Sequence, residues 1–569
     1  MKVFLLGLDG STWDILTPLV KAGDLPHLAS LMERGVAGSL RSVFPPLSPV
    51  AWTGMMTGKN SGKHGVFEFL EYAHDPLGGR VNSSRAIKSD LIWEIASQHG
   101  KRTVAGGIPM SYPPRPSPGF PGFFLGDFLS PPQAPDFTSD PAILAELESA
   151  LGEPYRPWAT AVHDGGREAQ VLSELTAFLD HHLKAVRFLM GRCEWDLFLF
   201  DLMATDRIQH ELWHVWDPTH RVAHGRDLSA LRPGFIDFWK RLDRGVGEIE
   251  AALPPDTALV LMSDHGFGPI EWYVNFNVWL LERGDIALDD TFYVRQKHWC
   301  YRHGITPEWF YGHMVRLGMA GQRVGRFRGK QKGWVDRVAE SVFLSRRHID
   351  WTRTKAYAQG NFGQIFINQK GRQPHGCVSA DDARPLMNDL KAELAALPHP
   401  ETGAPLVERV YERDELYNGP HAHLAPDLTV VLKDWRYRTI GLHDFTTHKL
   451  ISPAFGPTGD HRMDGIFVAA GPPFKPASSL QDATLLDVAP TVLHLLDVPV
   501  PLDMDGRVLT EILDRSLLAT PSQNGHAGLP SAQVSGLSNG HTNGTPAPPA
   551  YTEEEDAVIQ QRLADLGYL

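Results

Sequence analysis

Short apolar runs, too brief for helices, recur along the chain and are separated by stretches with helical spacing. They fall at residues 3–8, 103–105, 197–200, 258–262, 365–367, 428–432 and 466–470. A continuous apolar run of this length bounded by polar residues is the mark of a strand buried on both faces, as in a parallel sheet covered by helices. Between the early runs the apolar residues return every three or four positions, as at Leu25, Leu28, Leu31 and Met32, with Gly35 just beyond as a stop signal. The alternation predicts an α/β fold with a mostly parallel central sheet and helices on both faces.

Composition narrows the function classes. Hydrophobic residues at 42% and charged residues at 21% are those of an ordinary globular protein. Against 67 Asp and Glu there are only 54 Lys and Arg, a net charge of −13, which disfavours a nucleic acid duplex as partner because its phosphates need neutralising. The three cysteines, Cys193, Cys300 and Cys377, are widely spaced with no C-x-x-C pair, so neither a disulfide framework nor a cysteine zinc site is expected. That usage fits a reducing compartment. The opening MKVFLLGLDG stops at an acid after about six apolar residues, short of a signal segment. No later stretch reaches the roughly 18 uninterrupted apolar residues of a membrane span. A soluble, cytoplasmic protein is expected.

The pattern divides the chain into a first part of an α/β core at 1–272, an insertion or cap at 273–353, and a second part of the core at 354–515. A linker at 516–551 and a helical tail at 552–569 follow. The cap carries many aromatics and the basic run QRVGRFRGKQKGW, with Arg323, Arg326, Arg328, Lys330 and Lys332. That run reads either as a solvated loop or as an attractor for an anionic substrate. The linker is rich in Gly, Ser, Asn, Pro and Ala. The tail places Val558, Ile559, Leu563 and Leu566 on one helical face, which should dock on its own domain or on a second subunit.

Three acids stand at or just after strand ends: Asp9 after VFLLGL, Asp264 after ALVLMS, and Asp206 shortly beyond LFLFDLM. Ligands of open α/β sheets bind outside the carboxyl ends of the strands, so these side chains can converge. Asp264 is followed by His265, and Asp206 precedes His210 by one helical turn. Carboxylate and imidazole are the ligand set of zinc or another divalent transition metal, and two such groups suggest two ions. His461, in TGDHRMDG, could complete one of them. His214 shares the helical face of Asp206 and His210 and competes as a ligand, although His210 gives the tighter one-turn pairing. The candidate nucleophile is Ser48, in FPPLSPVAWTGMMTGKNSGKHGV. Standing before Pro49, it reads equally as a helix N-cap. A hydroxyl at a helix N-terminus also faces the positive end of the dipole, which favours an alkoxide and a bound phosphate.

In this order the segments resemble the alkaline phosphatase superfamily, most closely its type I phosphodiesterase/nucleotide pyrophosphatase branch and the related predicted bacterial phosphohydrolases and phosphomutases. The resemblance spans about residues 3–509 and rests on Asp9, the segment 45–65, Asp206 with His210, Asp264 with His265, and His461. It implies an alkaline-phosphatase-like fold with an inserted cap. It also implies one metal on Asp206, His210 and His461, and a second on Asp9, Asp264 and His265 that Ser48 contacts. The metals would be zinc, with manganese as alternative, and the substrate a small phosphorylated molecule cleaved through a covalent intermediate on Ser48. Residues 482–509 look like the stretch that packs the last helix of this superfamily.

Departures bear on substrate. The branch usually has Thr where Ser48 stands, and an Asn after the H-G where this chain has Phe69. The sulfatase signature C/S-x-P-x-R is missing, since Ser48 is followed by Pro49, Val50, Ala51 and Trp52. A phosphomutase using the same residues is the alternative enzyme, and a catalytically silent metal-bearing binding protein is the alternative from another class.

Overall fold

The computed structural model describes residues 1–72, 79–115, 121–131, 134, 136–159, 166–316, 342–441, 445–514 and 550–568. The basic run of the cap and all but the end of the linker lie outside the described residues.

Eight strands form the main sheet: β1 (Lys2–Gly7), β2 (Val36–Arg41), β3 (Thr103–Gly106), β4 (Gly122–Leu125), β5 (Leu197–Asp201), β6 (Thr257–Met262), β7 (Asp464–Ala470) and β8 (Ser478–Leu480), in the order β8-β2-β7-β6-β1-β5-β3-β4. β1 pairs in parallel with β5 and β6, and β3 in parallel with β4 and β5. β7 alone runs against its neighbours β2 and β6. The sheet is thus mostly parallel, and its central strands are buried except for Lys2 at the start of β1, which is why their sequences are largely apolar. Helices flank it and share one large apolar core with it.

Register decides where the chemistry lies. Gly7 is paired with Asp201 on one side and Met262 on the other, so β1, β5 and β6 end in one row. Asp9 and Asp264 each follow that row by two residues. β7 runs the other way, so the segment entering it, which contains His461, arrives at the same edge. That segment, Gly459–Arg462, pairs with Gly266–Pro269 just past β6 and sets His461 opposite Phe267. The helix α1 (Ser48–Thr57) is buried along its whole length and packs against Val488–Leu495 of the segment 482–509.

Two of the apolar runs belong elsewhere. Residues 365–367 and 428–432 lie in a separate four-stranded antiparallel sheet, Ala356–Ala358, Gln364–Ile367, Leu428–Leu432 and Val407–Glu412, which packs with the helix Ala380–Ala395 around its own apolar core. Periodicity reports burial on both faces, and a strand between a helix and a second layer satisfies it whichever sheet it joins. The tail forms the helix Glu553–Asp565 and docks on its own chain. Ile559, Leu563 and Leu566 are buried as expected, but Val558 is exposed. Among the described residues no helix is long and apolar enough to cross a membrane.

Candidate metal centre

Three elements end at the carboxyl edge of the sheet and carry the predicted ligands. The turn after β1 brings Asp9, and the turn after β6 brings Asp264 and His265. The helix α2 (Ala204–Trp216), which follows β5, carries Asp206 in its first turn and His210 one turn on. The structure gathers six of the predicted residues into two groups, Asp206 with His210 and His461, and Asp9 with Asp264 and His265. In the first, Asp206 Oδ1 is 3.3 Å from His210 Nε2 and 3.4 Å from His461 Nε2, and the two imidazole nitrogens are 3.0 Å apart. In the second, His265 Nε2 is 3.5 Å from Asp9 Oδ1 and 3.4 Å from Asp264 Oδ2. The groups adjoin, since the rings of His265 and His461 stack with centroids 3.6 Å apart.

Each imidazole is oriented through its far nitrogen. Nδ1 of His210 faces the Gly459 carbonyl at 2.9 Å, Nδ1 of His461 the Pro46 carbonyl at 2.8 Å, and Nδ1 of His265 the Gly266 carbonyl at 3.0 Å. A carbonyl only accepts, so each Nδ1 carries a proton and Nε2 is the nitrogen turned into the site, with a lone pair there when the imidazole is neutral. This is how a metal-ligating histidine is held. Neutral His210 and His461 would set two lone pairs against each other across 3.0 Å, an arrangement that calls for a cation between them.

The carboxylates make the same point. Burial, and then the charges of Asp264, Asp201 and Asp206, push Asp9 well above the usual carboxylate range. Burial raises Asp264 to about 7. For Asp206 burial also raises the carboxyl, but positive charge placed at His210 and His461 outweighs it and holds the group well below its usual range. Burial, and next the charge on His461, push His265 well below the ordinary imidazole value. Asp9 Oδ1, Asp206 Oδ1, Asp264 Oδ2, His265 Nε2 and Ser48 Oγ are all buried with no hydrogen-bond partner. Orphaned buried acceptors of this kind cost roughly 1–3 kcal/mol each and more when charged, so five of them on one site mark a missing positive ligand. The residues therefore fit two divalent cations.

Ser48 does not cap its helix. It is the first residue of α1, behind Leu47, and makes no capping bond. Pro46, two residues before it, accepts from His461 of one group, while Trp52, one turn after it, donates through Nε1 to Asp9 Oδ2 of the other at 3.2 Å. Positions i and i+4 share a helix face, so Ser48 is turned toward the same groups as Trp52. Gly7 makes room for this: a Cβ there would stand 2.3 Å from Trp52 Cη2.

His214 stays out of both groups. Its Nδ1 meets Thr458 Oγ1 at 3.1 Å, and its Nε2 lies 3.6 Å from Glu168 Oε1. Phe69, at the place of the family's Asn, is buried against Phe128 and Tyr568. Two site residues went unread. Asp201, the last residue of β5, is buried with both oxygens unpartnered, and its carboxyl is pushed up by burial and by Asp264 and Asp206. An acid closing the run LFLF is the signal that marked Asp9, and it would have found Asp201. The other is Tyr568, whose hydroxyl donates to Asp206 Oδ2 at 2.7 Å.

A model of the family described as type I phosphodiesterase / nucleotide pyrophosphatase matches residues 3–442. Human ectonucleotide pyrophosphatase / phosphodiesterase 5 is structurally similar at 15% identity over 90% of this chain and 100% of its own, with a TM-score of 0.47. Phosphonoacetate hydrolase from Sinorhizobium meliloti 1021, in complex with phosphonoformate, is similar at 14% identity over 87% of this chain and 95% of its own, with a TM-score of 0.50. At such identity the likeness concerns the fold. No curated protein sequence matches the chain significantly.

Proposed function

The chain belongs to the type I phosphodiesterase/nucleotide pyrophosphatase family and is a phosphoric ester hydrolase, and from that premise we propose that it cleaves small phosphodiesters through a covalent intermediate on Ser48. The observation that carries this reading is the pair of buried Asp/His groups, one tied to Pro46 and the other to Trp52 on either side of an unpartnered serine hydroxyl in the first turn of a helix. When bound, two divalent cations, zinc by the donor set with manganese as alternative, would lower the pKa of the attacking hydroxyl and neutralise the phosphate oxygens.

The chain's own residues supply position. Ser48 Oγ attacks phosphorus in line; a Ser–O–P bond forms as the bond to the leaving oxygen breaks, and that oxygen departs with the bonding pair. Water then adds to phosphorus, the Ser–O–P bond breaks, and Ser48 is restored. The N-terminal dipole of α1 favours the developing charge. Trp52 fixes one carboxylate oxygen of Asp9, and the backbone carbonyls of Gly459, Pro46 and Gly266 fix the three imidazoles, so little reorganises during reaction. Three unpaired cysteines suit a reducing, cytoplasmic setting.

A chromogenic aryl phosphodiester and the matching monoester, each offered to zinc-loaded protein, test the reading. The diester is expected to be cleaved at least about tenfold faster and the rate to vanish on chelation. Faster release from the monoester would reassign the substrate class. Transfer of phosphate within an isomerisable sugar phosphate, with no alcohol released, would make the protein a mutase.

A further inference from the structure

Every residue of the metal centre is buried: Asp9, Ser48, Asp206, His210, Asp264, His265 and His461 are each no more than 2% exposed. A phosphate ester cannot reach Ser48 unless something moves. Among the described groups packed over the site, the one that reaches the ligands with a polar atom from a separable segment is Tyr568, which follows the tail helix α3 (Glu553–Asp565). It is itself 2% exposed. Its ring lies 4.9 Å from Phe69, 5.5 Å from His210 and 6.1 Å from His461, centroid to centroid, standing edge-on to both imidazoles. Its hydroxyl holds Asp206 Oδ2, the oxygen that does not face the two histidines. A planar ring with a polar oxygen directed at the ligands is what an aryl ester would present there.

The placement is built from several parts of the chain. Arg207 Nη1 donates to the Leu566 carbonyl at 2.8 Å, and Asn361 Nδ2 donates to the carbonyl of Tyr568 at 3.2 Å. Along α3, Arg562 donates to the carbonyls of Phe128 and Ser130 and stacks 3.6 Å over the Trp158 ring, while Asp556 accepts from the Val81 amide at 2.8 Å. Ile559 and Leu563 are fully buried beneath the helix. The 35 residues 515–549 separate this segment from the core. Fully extended they span on the order of 115 Å, so the tail can leave the site while still attached.

We propose that residues 550–568 are an intramolecular plug: Tyr568 occupies the substrate's place against Asp206, His210 and His461, and turnover requires its withdrawal. The proposal rests on the metal-centre reading above.

Its test uses the full chain loaded with zinc, as wild type, Tyr568→Ala and the undocking double variant Ile559→Asp/Leu563→Asp. Two quantities are read: kcat/KM for bis(p-nitrophenyl) phosphate, and the rate at which EDTA strips zinc with no substrate present. A retained main thermal transition shows that the core is folded; Tyr568→Ala keeps the test open should the double variant misfold. The plug predicts that kcat/KM rises at least tenfold, mostly through a lower KM, and that zinc loss accelerates at least tenfold. Faster zinc loss with no hydrolysis by any form would uphold the plug and overturn the hydrolase reading. Unchanged values of both quantities would overturn the plug. So would a lower kcat/KM in Tyr568→Ala, which would make the tyrosine part of the working site.

Discussion

Ser48→Ala is expected to cut diester turnover by at least about a thousandfold, a loss of roughly 4 kcal/mol of transition-state stabilisation, while the protein keeps its metal content and its thermal transition. The separation follows from the structure. Among the described residues Ser48 Oγ has no hydrogen-bond partner, so its removal breaks no hydrogen bond there. The six candidate ligands lie on other elements, and what holds them, the backbone carbonyls and the Trp52 indole of α1, is left alone by an alanine at position 48. The nucleophile is the one part of the proposed chemistry that no neighbour duplicates. Metal analysis of the purified variant beside wild type, with initial rates on the diester, checks both halves. Surviving turnover in a metal-replete variant would mean that another group attacks phosphorus.

His461→Ala should have an effect of comparable size for a different reason. His461 faces Asp206 and His210 through Nε2, stacks on His265 of the other group, and is tied through Nδ1 to the segment that leads into α1. Its loss leaves a buried two-residue group around Asp206. The variant is expected to retain about one metal per chain in place of two and to lose at least about a hundredfold in kcat/KM, since even outer-shell partners of metal ligands are worth 10–100-fold. His214→Ala is the control. That imidazole bonds to Thr458 away from both groups, so metal content should stay at two whatever happens to stability. Equal metal loss in both variants would show that the grouping around Asp206 is wrong.

The parts of this site that were legible in the sequence are those governed by local rules. Asp9 and Asp264 follow apolar runs directly, so strand-end logic found them, and the same logic applied to the acid that closes β5 would have found Asp201. Asp206 and His210 share a turn of α2, a relation visible in spacing alone. His461 was named from its place before the run 466–470, but its assignment to the Asp206 group depended on the resemblance, because nothing local says that an antiparallel strand will carry it back to the edge where the parallel strands end. Ser48 was placed one position off: read as an N-cap, it is the first helical residue behind Leu47, a difference that turns a capping hydroxyl into an unpartnered one. The smaller sheet shows the limit of periodicity, since residues 365–367 and 428–432 are mostly buried, with Phe366 and Val431 partly so, but face a different core. The strands Val36–Arg41 and Ser478–Leu480 went unread because they lie toward one side of the sheet, with partly exposed residues and no continuous apolar run, whereas Gly122–Leu125 offered the buried run Phe123, Phe124 and Leu125, as long as the one at 103–105, and was passed over. Tyr568 had no signal at all; its role is a long-range contact made by an aromatic that sequence shows only as the residue after a helix.

The central claim, that phosphorus passes through a covalent bond to Ser48, is tested most directly by the stereochemical course at a chiral phosphorothioate diester cleaved by the zinc-loaded protein in water labelled with heavy oxygen, which keeps the product phosphorus chiral. Each in-line displacement inverts the configuration at phosphorus. Attack by Ser48 followed by attack of water gives two inversions, so the account predicts net retention. Net inversion would mean that water displaces the leaving group in a single step, and would contradict the assignment of Ser48 as nucleophile.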